Sequence, residues 1–366
     1  MAKSRLHELS ERGVSVWMDS LSRELLETGE LERLIREDAV VGVTSNPTIF
    51  QKALATGDWY DEELRAAMEH EDDPKELFLV LAYEDVRRAC DLLRPVWEAT
   101  DGVDGFVSLE VDPTLAYDRE ATFEEALRFH AELGRENLYV KIPATRPGLG
   151  AIEDAIAHGK SINVTLIFSL ERYRAVVEAY IRGLERLVAA GGDPSRVCSV
   201  ASFFVSRVDT ETDRRLGEGH PLAGKLAIAN AKLAYAHWRE AFSGPRWEEL
   251  VAKGARTQRC LWASTSTKNP AYRDVLYVEE LIGPETVNTM PAETIAAFQD
   301  HGEVRGDTLL EGVDEARALL GELREAGVDY DDVVLTLEAE GVQKFADSFA
   351  ELLEGIRAKR GALAMT

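Results

Sequence analysis

The chain has 366 residues, 45% of them hydrophobic and with no strongly biased tract, enough for one large α/β barrel or two ordinary domains around a well-buried core. Against 42 Lys and Arg stand 66 Asp and Glu, a formal charge of −24, which argues against nucleic acid or an anionic membrane as a partner. It would also repel a phosphorylated ligand unless the site carries cations of its own.

The start, Met1-Ala2-Lys3-Ser4-Arg5-Leu6-His7-Glu8, has no apolar signal core, and no apolar run approaches the roughly 20 residues of a membrane span. Cys90, Cys198 and Cys260 are odd in number and far apart. They offer no disulfide framework, so the expectation is a cytoplasmic protein. The histidines show no HxxxH or other ligand spacing, and no metal is expected.

Short apolar, β-branched runs alternate with helical patterns along the chain. Strands are predicted at 14–19, 41–44, 106–111, 138–143, 162–168, 197–205, 259–263 and 286–289, and such runs, buried on both faces, suit a parallel sheet covered by helices. After the fifth strand, Leu170, Tyr173, Val176, Val177, Tyr180, Ile181, Leu184 and Val188 fall on one helical stripe. Ser169 is placed to cap it and Gly191-Gly192-Asp193-Pro194 to stop it. The breaks Arg146-Pro147-Gly148 and Gly244-Pro245 read as loops. Residues 221–242 read as a long helix after strand six, and residues 330–359 as an amphipathic helix or pair packed on the barrel.

Eight strand–helix units in about 300 residues predict an α/β fold of the (β/α)8, or TIM-barrel, type. A doubly wound open sheet would call for a GxGxxG turn, which follows none of the strands. With no interdomain linker in view, residues 1–366 are expected to form one barrel domain, its core at about 14–303 and extra C-terminal helices at about 311–359.

In such a barrel the active site lies at the C-terminal strand ends. Strand one ends in Asp19 and strand two in Thr44-Ser45-Asn46-Pro47. Strand three carries Glu110, strand four Lys141, strand five Asn163 and Thr165, and strand six Ser202, Phe204 and Arg207. Strand seven ends in Ser264-Thr265-Ser266-Thr267-Lys268, and strand eight in Thr289-Met290-Pro291.

Lys141 is the most informative, because a charged amine inside an apolar strand is costly and desolvation favours the neutral amine that attacks a carbonyl. Taken alone, it is also compatible with a snorkelling strand-end lysine or half of an ion pair. Asp19 and Glu110 alone are compatible with loop carboxylates or helix caps, but together they offer two acid/base groups beside an amine. Asn46, Asn163 and Thr165 suit turns and caps, and equally the hydroxyls of a sugar. Arg207 and Lys268 suit a solvated surface, and equally a phosphate clamp.

Three segments resemble the transaldolase family. Val43-Thr44-Ser45-Asn46-Pro47-Thr48-Ile49-Phe50 resembles its strand-two signature, and Leu138-Tyr139-Val140-Lys141-Ile142-Pro143-Ala144-Thr145 the signature around its Schiff-base lysine. Ile162-Asn163-Val164-Thr165-Leu166-Ile167-Phe168-Ser169 matches a third block. The likeness runs from about residue 14 to 350. The segment Trp262-Ala263-Ser264-Thr265-Ser266-Thr267-Lys268-Asn269-Pro270 resembles the longer bacterial subgroup found in actinobacteria.

The resemblance implies a cofactor-free barrel with its lysine on strand four. Such an enzyme moves a dihydroxyacetone unit between sugar phosphates in the non-oxidative pentose phosphate pathway. It implies that Lys141 attacks the ketose C2, that Asp19 takes the C4 hydroxyl proton, and that Glu110 and Thr165 hold the water that relays protons. Asn46 and Asn163 would bind hydroxyls, Ser202 would support the intermediate and Arg207 would bind phosphate. Many family members carry Ser-Phe-Arg after strand seven. This chain departs from that pattern, and the cation role is assigned to Lys268 with Ser264 or Ser266 assisting.

Two other readings stand beside this one. A fructose-6-phosphate aldolase would release free dihydroxyacetone, and such relatives carry tyrosine where Phe204 stands. A non-catalytic sugar-phosphate-binding barrel would have lost the lysine or an acid. The oligomeric state is open between monomer and homodimer.

Overall fold

The computed structural model describes residues 4–363; of the N-terminal segment read above, Met1, Ala2 and Lys3 lie outside the described residues. Its eight strands are β1 Val14–Met18, β2 Val40–Val43, β3 Phe106–Glu110, β4 Leu138–Pro143, β5 Ile162–Ile167, β6 Ser199–Phe204, β7 Gln258–Ala263 and β8 Thr286–Met290. Every neighbouring pair is parallel, and β1 pairs with β8, so the strands close in sequential order into a barrel wrapped by helices. All strand residues are buried except Val41, as expected of a parallel sheet covered on its outer face and filled on its inner one. The predicted strands agree with these to within two residues at either end.

Register decides what the interior holds, because alternate residues on a strand share a face. Glu110 lies opposite Lys141, and Lys141 opposite Asn163, across the β3–β4–β5 ladder. On β4, Tyr139 is two residues below Lys141, and on β1, Trp17 is two below Asp19. The lower layer is closed by these rings. Tyr139 stacks on Phe106 with centroids 4.0 Å apart and meets Trp17 at 6.0 Å.

Arg259 completes the plug, donating to Ser15 Oγ at 2.8 Å and to Asp104 Oδ1 at 2.9 Å, while Trp17 Nε1 donates to the same carboxylate at 3.2 Å. Gly42 on β2 makes room for the indole, since a Cβ there would lie 2.5 Å from Trp17. The result is an interior sealed at its N-terminal end and open at the other.

Several helices differ from expectation. The segment 221–242 is a helix only over Leu226–Ala241, preceded by turns and by the helix Ser206–Leu216. The break comes from Gly224 at φ +72°, whose N–H is held by Asp213 Oδ1 at 2.8 Å. Arg146-Pro147-Gly148 and Gly244-Pro245 begin helices, Arg146–Ala157 and Pro245–Val251. Proline is tolerated there because first-turn N–H groups have no partner to lose.

The tail is one helix, Tyr330–Leu363. It lies along the helix Pro47–Ala55 that follows β2, where Thr48 and Ser348 share a hydrogen bond of 2.8 Å and Phe349 meets Phe78 edge-on at 6.0 Å. Gly341 lets it approach the end of β5: a Cβ at that position would lie 3.2 Å from Leu166 and 3.3 Å from Phe168. Among the described residues no helix is long and apolar enough to cross a membrane.

Asp209, on the helix Ser206–Leu216, is buried and accepts hydrogen bonds from Ala227 N at 2.7 Å and the Tyr277 hydroxyl at 2.8 Å. Burial outweighs both and pushes its carboxyl from 3.8 up to about 7. The native state therefore holds this proton more tightly than the unfolded chain does. The contribution is fully present below roughly pH 4 and is lost as pH rises through 7. Asp209→Asn should match wild type near pH 4 and gain on it with rising pH, melting several degrees higher by pH 8. A difference in Tm that stays constant from pH 4 to 8, followed by circular dichroism, would exclude titration of Asp209.

Candidate active site

At the open end of the barrel a cavity of about 260 Å³ is lined by Asp19, Asn46, Lys141, Thr165, Ser202, Phe204, Arg207, Ser264, Ser266 and Lys268. Ten of the twelve residues singled out in the sequence thus share one pocket. The other two, Glu110 and Asn163, are absent from its lining and stand behind it on the strands flanking Lys141. A larger hollow of about 570 Å³ opens at the opposite end against Ser15, Asp104, Tyr139 and Arg259. There Arg259 and Asp104 are paired with each other, and barrel enzymes do their chemistry at the C-terminal ends of the strands.

Lys141 is 5% exposed. Its Nζ donates to the Ser45 carbonyl at 2.9 Å and lies 3.3 Å from Glu110 Oε2. That carbonyl is presented by the turn after β2, which Ser45 pins by donating its own hydroxyl to the Ser108 carbonyl on β3 at 2.7 Å. The next residue, Asn46, caps the helix Pro47–Ala55 by accepting from Ile49 N at 3.0 Å. Its Oδ1 does the capping read from the sequence, while the residue still lines the pocket.

Burial raises the Glu110 carboxyl, against the pull of Lys141 and of Arg207. Among the described residues Glu110 Oε1 and the Thr165 hydroxyl have no hydrogen-bond partner, and Glu110 Oε2 has only its ion pair with Lys141. Buried polar atoms are rarely left so. Asn163 is held on both sides: Nδ2 donates to Ser108 Oγ at 3.0 Å and Oδ1 accepts from Ser202 Oγ at 2.7 Å. It thereby orients Ser202, and its amide keeps a second hydrogen and a second lone pair.

Asp19 continues β1 beyond its last residue, its N–H bonding to the Met290 carbonyl at 2.8 Å. Although the residue keeps some exposed area, its carboxyl lies deep in the pocket. Burial raises it, opposed first by Lys141 and then by the hydrogen bond from Thr44 Oγ1, 2.7 Å from Oδ1. Thr44 is in turn 2.6 Å from Thr289 Oγ1.

At the outer side the Arg207 guanidinium lies 5.1 Å above the Phe204 ring and 5.8 Å from Phe345. Lys268 Nζ donates to Ser266 Oγ at 2.6 Å, and Ser264 shares a bond of 2.8 Å with Ser206. Leu166 and Ser264 take positive φ, +57° and +58°, costly for residues with a side chain. Leu166 lies where the β5–β6 register slips, a bulge of the kind that re-aims a neighbouring side chain.

The sequence reading missed Thr44 and Ser108 as supports, and Lys52, Lys344 and Phe345 as pocket residues. Thr44 stands in the quoted strand-two motif and could have been suspected. Lys344 and Phe345 come from the tail helix and carry no local signal.

A buried strand lysine between two carboxylates raised by burial, at the mouth of a closed (β/α)8 barrel, defines an aldolase-type barrel. The profile described as Transaldolase/Fructose-6-phosphate aldolase matches residues 16–356, and the chain belongs to that family. It is 55% identical to a protein named transaldolase from Parafrankia sp. (strain EAN1pec), covering 98% of this chain and 99% of that one. It is 54% identical to one from Thermobifida fusca, covering 96% and 97%, and 53% identical to one from Acidothermus cellulolyticus, covering 97% and 99%.

The Thr44 hydroxyl stabilises ionised Asp19, so its removal should raise the carboxyl further. Thr44→Val is expected to move the Asp19 titration to higher pH, because a hydrogen bond to the charged form is lost. Carbon-13 NMR of labelled aspartate measures it, and an unmoved titration would show that this bond does not govern the carboxyl.

Proposed function

We propose that the chain is a transaldolase that carries a dihydroxyacetone unit from a ketose phosphate to an aldose phosphate as a Schiff base on Lys141. The observation that carries this reading is the Lys141 amine, buried in the barrel wall and facing a small polar pocket shared with Asp19, with Arg207 and Lys268 beyond. Membership of the family and the names of its relatives support it.

In this mechanism Lys141 passes a proton towards Glu110 and attacks C2 of fructose 6-phosphate or sedoheptulose 7-phosphate. Loss of the C2 oxygen as water leaves an iminium. Glu110, through Oε1, and the Thr165 hydroxyl, neither with a hydrogen-bond partner among the described residues, hold the water through which those protons move. Asp19 then removes the proton from the C4 hydroxyl. The C3–C4 bond breaks, its electron pair enters the iminium to form an enamine, and the aldose phosphate leaves. The enamine adds to the carbonyl carbon of a second aldose phosphate, Asp19 returns the proton, and water releases the new ketose.

The iminium is the electron sink, so the reading calls for no metal or cofactor. Asn46 and Ser202 meet the hydroxyls of the bound unit, with Ser202 oriented by Asn163. Arg207 and Lys268, assisted by Ser264 and Ser266, hold the phosphate.

Borohydride reduction in the presence of fructose 6-phosphate should trap the unit on the peptide that contains Lys141. Lys141→Ala should keep its circular dichroism spectrum and lose both trapping and transfer; undiminished trapping in that variant would falsify the assignment. Asp19→Asn should still be trapped while turnover falls by roughly 10²–10⁴, the usual loss with a general acid/base.

Phe204 bears on whether the enamine is passed on or released. Release needs a proton at the enamine carbon and then water at C2, and a phenyl ring supplies neither a donor nor an anchor for water. Wild type with fructose 6-phosphate and no acceptor should free dihydroxyacetone far more slowly than it transfers it to erythrose 4-phosphate. Phe204→Tyr should shift that ratio towards release. Fast release by wild type would instead make the enzyme an aldolase.

A further inference from the structure

The two cations assigned to the phosphate reach the pocket from different elements. Arg207 stands in the first turn of the helix Ser206–Leu216. Lys268 is exposed and belongs to the loop 264–275, which forms neither helix nor strand. Two groups that grip one phosphate need a fixed separation, and a long irregular loop has no hydrogen-bond ladder of its own to supply it.

The root of the loop is bound to the start of the helix. Ser206 N donates to the Ser264 carbonyl at 3.0 Å, and the two hydroxyls share a bond of 2.8 Å. Thr265 then donates to Asn288 Oδ1 on β8 at 2.8 Å. Past this point, among the described residues, 266–271 hydrogen-bond only within the loop: Lys268 to Ser266, and Asn269 to Ala271 and Tyr272. Tyr272 ends that free stretch, its hydroxyl donating to Asp213 Oδ2 at 2.6 Å. Arg273 and Asp274 are tied elsewhere, to Glu279 and His301. Beyond Ser264, Tyr272 is therefore the one residue of the loop, among those described, that hydrogen-bonds to the helix of Arg207.

The receiving side is built for this tie. The other oxygen of Asp213 accepts from Gly224 N at 2.8 Å, which fixes the carboxylate. Gly224 also leaves room for the Tyr272 ring, since a Cβ there would lie 2.7 Å from it. Asp213 is about two turns along the helix from Ser206 and on the same face. The loop thus leaves the helix at Ser206 and returns to it at Asp213. Ser266 and Lys268 ride on the arch between, where both line the pocket.

We infer that Tyr272 is a positioning residue: by tying the strand-seven loop to Asp213 it sets Lys268 against Arg207, so that the two meet a sugar phosphate as one unit. The inference rests on the transaldolase reading and on the phosphate role it gives to Lys268.

Tyr272→Phe keeps the ring against Gly224 and removes the tie. KM for fructose 6-phosphate should rise roughly three- to tenfold, the worth of a weakened charge-assisted contact, with kcat changed by less than about twofold. Borohydride trapping with unphosphorylated dihydroxyacetone should proceed as in wild type. Placed in Lys268→Ala, the same change should add no further rise in KM, because the group through which it acts is gone. Tyr277→Phe is the structural control. It removes a bond of 2.8 Å to Asp209 on the same helix from a residue outside the loop, and should lower Tm while leaving KM near wild type.

The outcomes separate the two levels. If wild type is not trapped, the Schiff-base reading fails and the inference with it. If Lys268→Ala leaves KM unchanged, the phosphate role of Lys268 fails, and again the inference with it. The inference alone is overturned if Lys268→Ala raises KM and Tyr272→Phe does not, or if the two rises multiply in the double variant. It is overturned equally if Tyr277→Phe raises KM as far as Tyr272→Phe does.

Discussion

The amine of Lys141 inside the barrel wall is the constraint to which the rest of the site answers. An ammonium removed from water needs acceptors, and the fold supplies them from the two preceding strands: the Ser45 carbonyl after β2 and the Glu110 carboxylate opposite it on β3. Those acceptors need support in turn. Ser45 is tied to β3, and Asn163, opposite Lys141 on β5, is held between Ser108 and Ser202. Asp19 and Glu110 are both raised by burial and both held down by Lys141, so the amine opposes in each carboxyl what burial does to it.

The two ends of the barrel treat polar groups in opposite ways. At the closed end Arg259, Asp104, Ser15 and Trp17 satisfy one another beneath stacked rings, an arrangement that seals and stabilises. At the open end, among the described residues, Glu110 Oε1 and the Thr165 hydroxyl keep no hydrogen-bond partner, the Arg207 guanidinium makes no hydrogen bond or ion pair and lies over aromatic rings, and Leu166 and Ser264 take strained backbone angles. Proteins tolerate such costs where a ligand repays them. The contrast supports the open end of the framework as the proposed working one.

The tail helix extends the site beyond the strand ends. Its close approach at Gly341 brings Phe345 against Arg207 and Lys344 to the rim, so the surroundings of Arg207 depend on residues more than a hundred positions from the guanidinium they flank. The strongly acidic surface makes those cations more selective. Salt screens the distant carboxylates over roughly 8 Å, while the pocket presents its own charge at short range.

Much of this was legible in the chain itself. Eight buried runs at barrel spacing determined the fold class and singled out Lys141 inside one of them, because strand burial and the cost of a buried amine are local properties; its proposed role as nucleophile came from the family motif around it. The quoted motifs contain Asn46, Lys141, Asn163 and Thr165, and strand-end position brought in Asp19, Glu110, Arg207 and Lys268.

What only the tertiary structure decided was pairing across distance. Register set Glu110 beside Lys141 and made Asn163 a support for Ser202. The Thr44–Asp19 bond depends on how β2 ends against β1 and β8. The start of the helix at Leu226 depends on Asp213 holding Gly224. Lys344 and Phe345 had no signal at all, since a lysine and a phenylalanine on an amphipathic helix look the same whether the helix crosses a pocket or covers plain surface. A strand carries its burial in its own composition, whereas a partner from elsewhere in the chain is chosen only when the barrel closes.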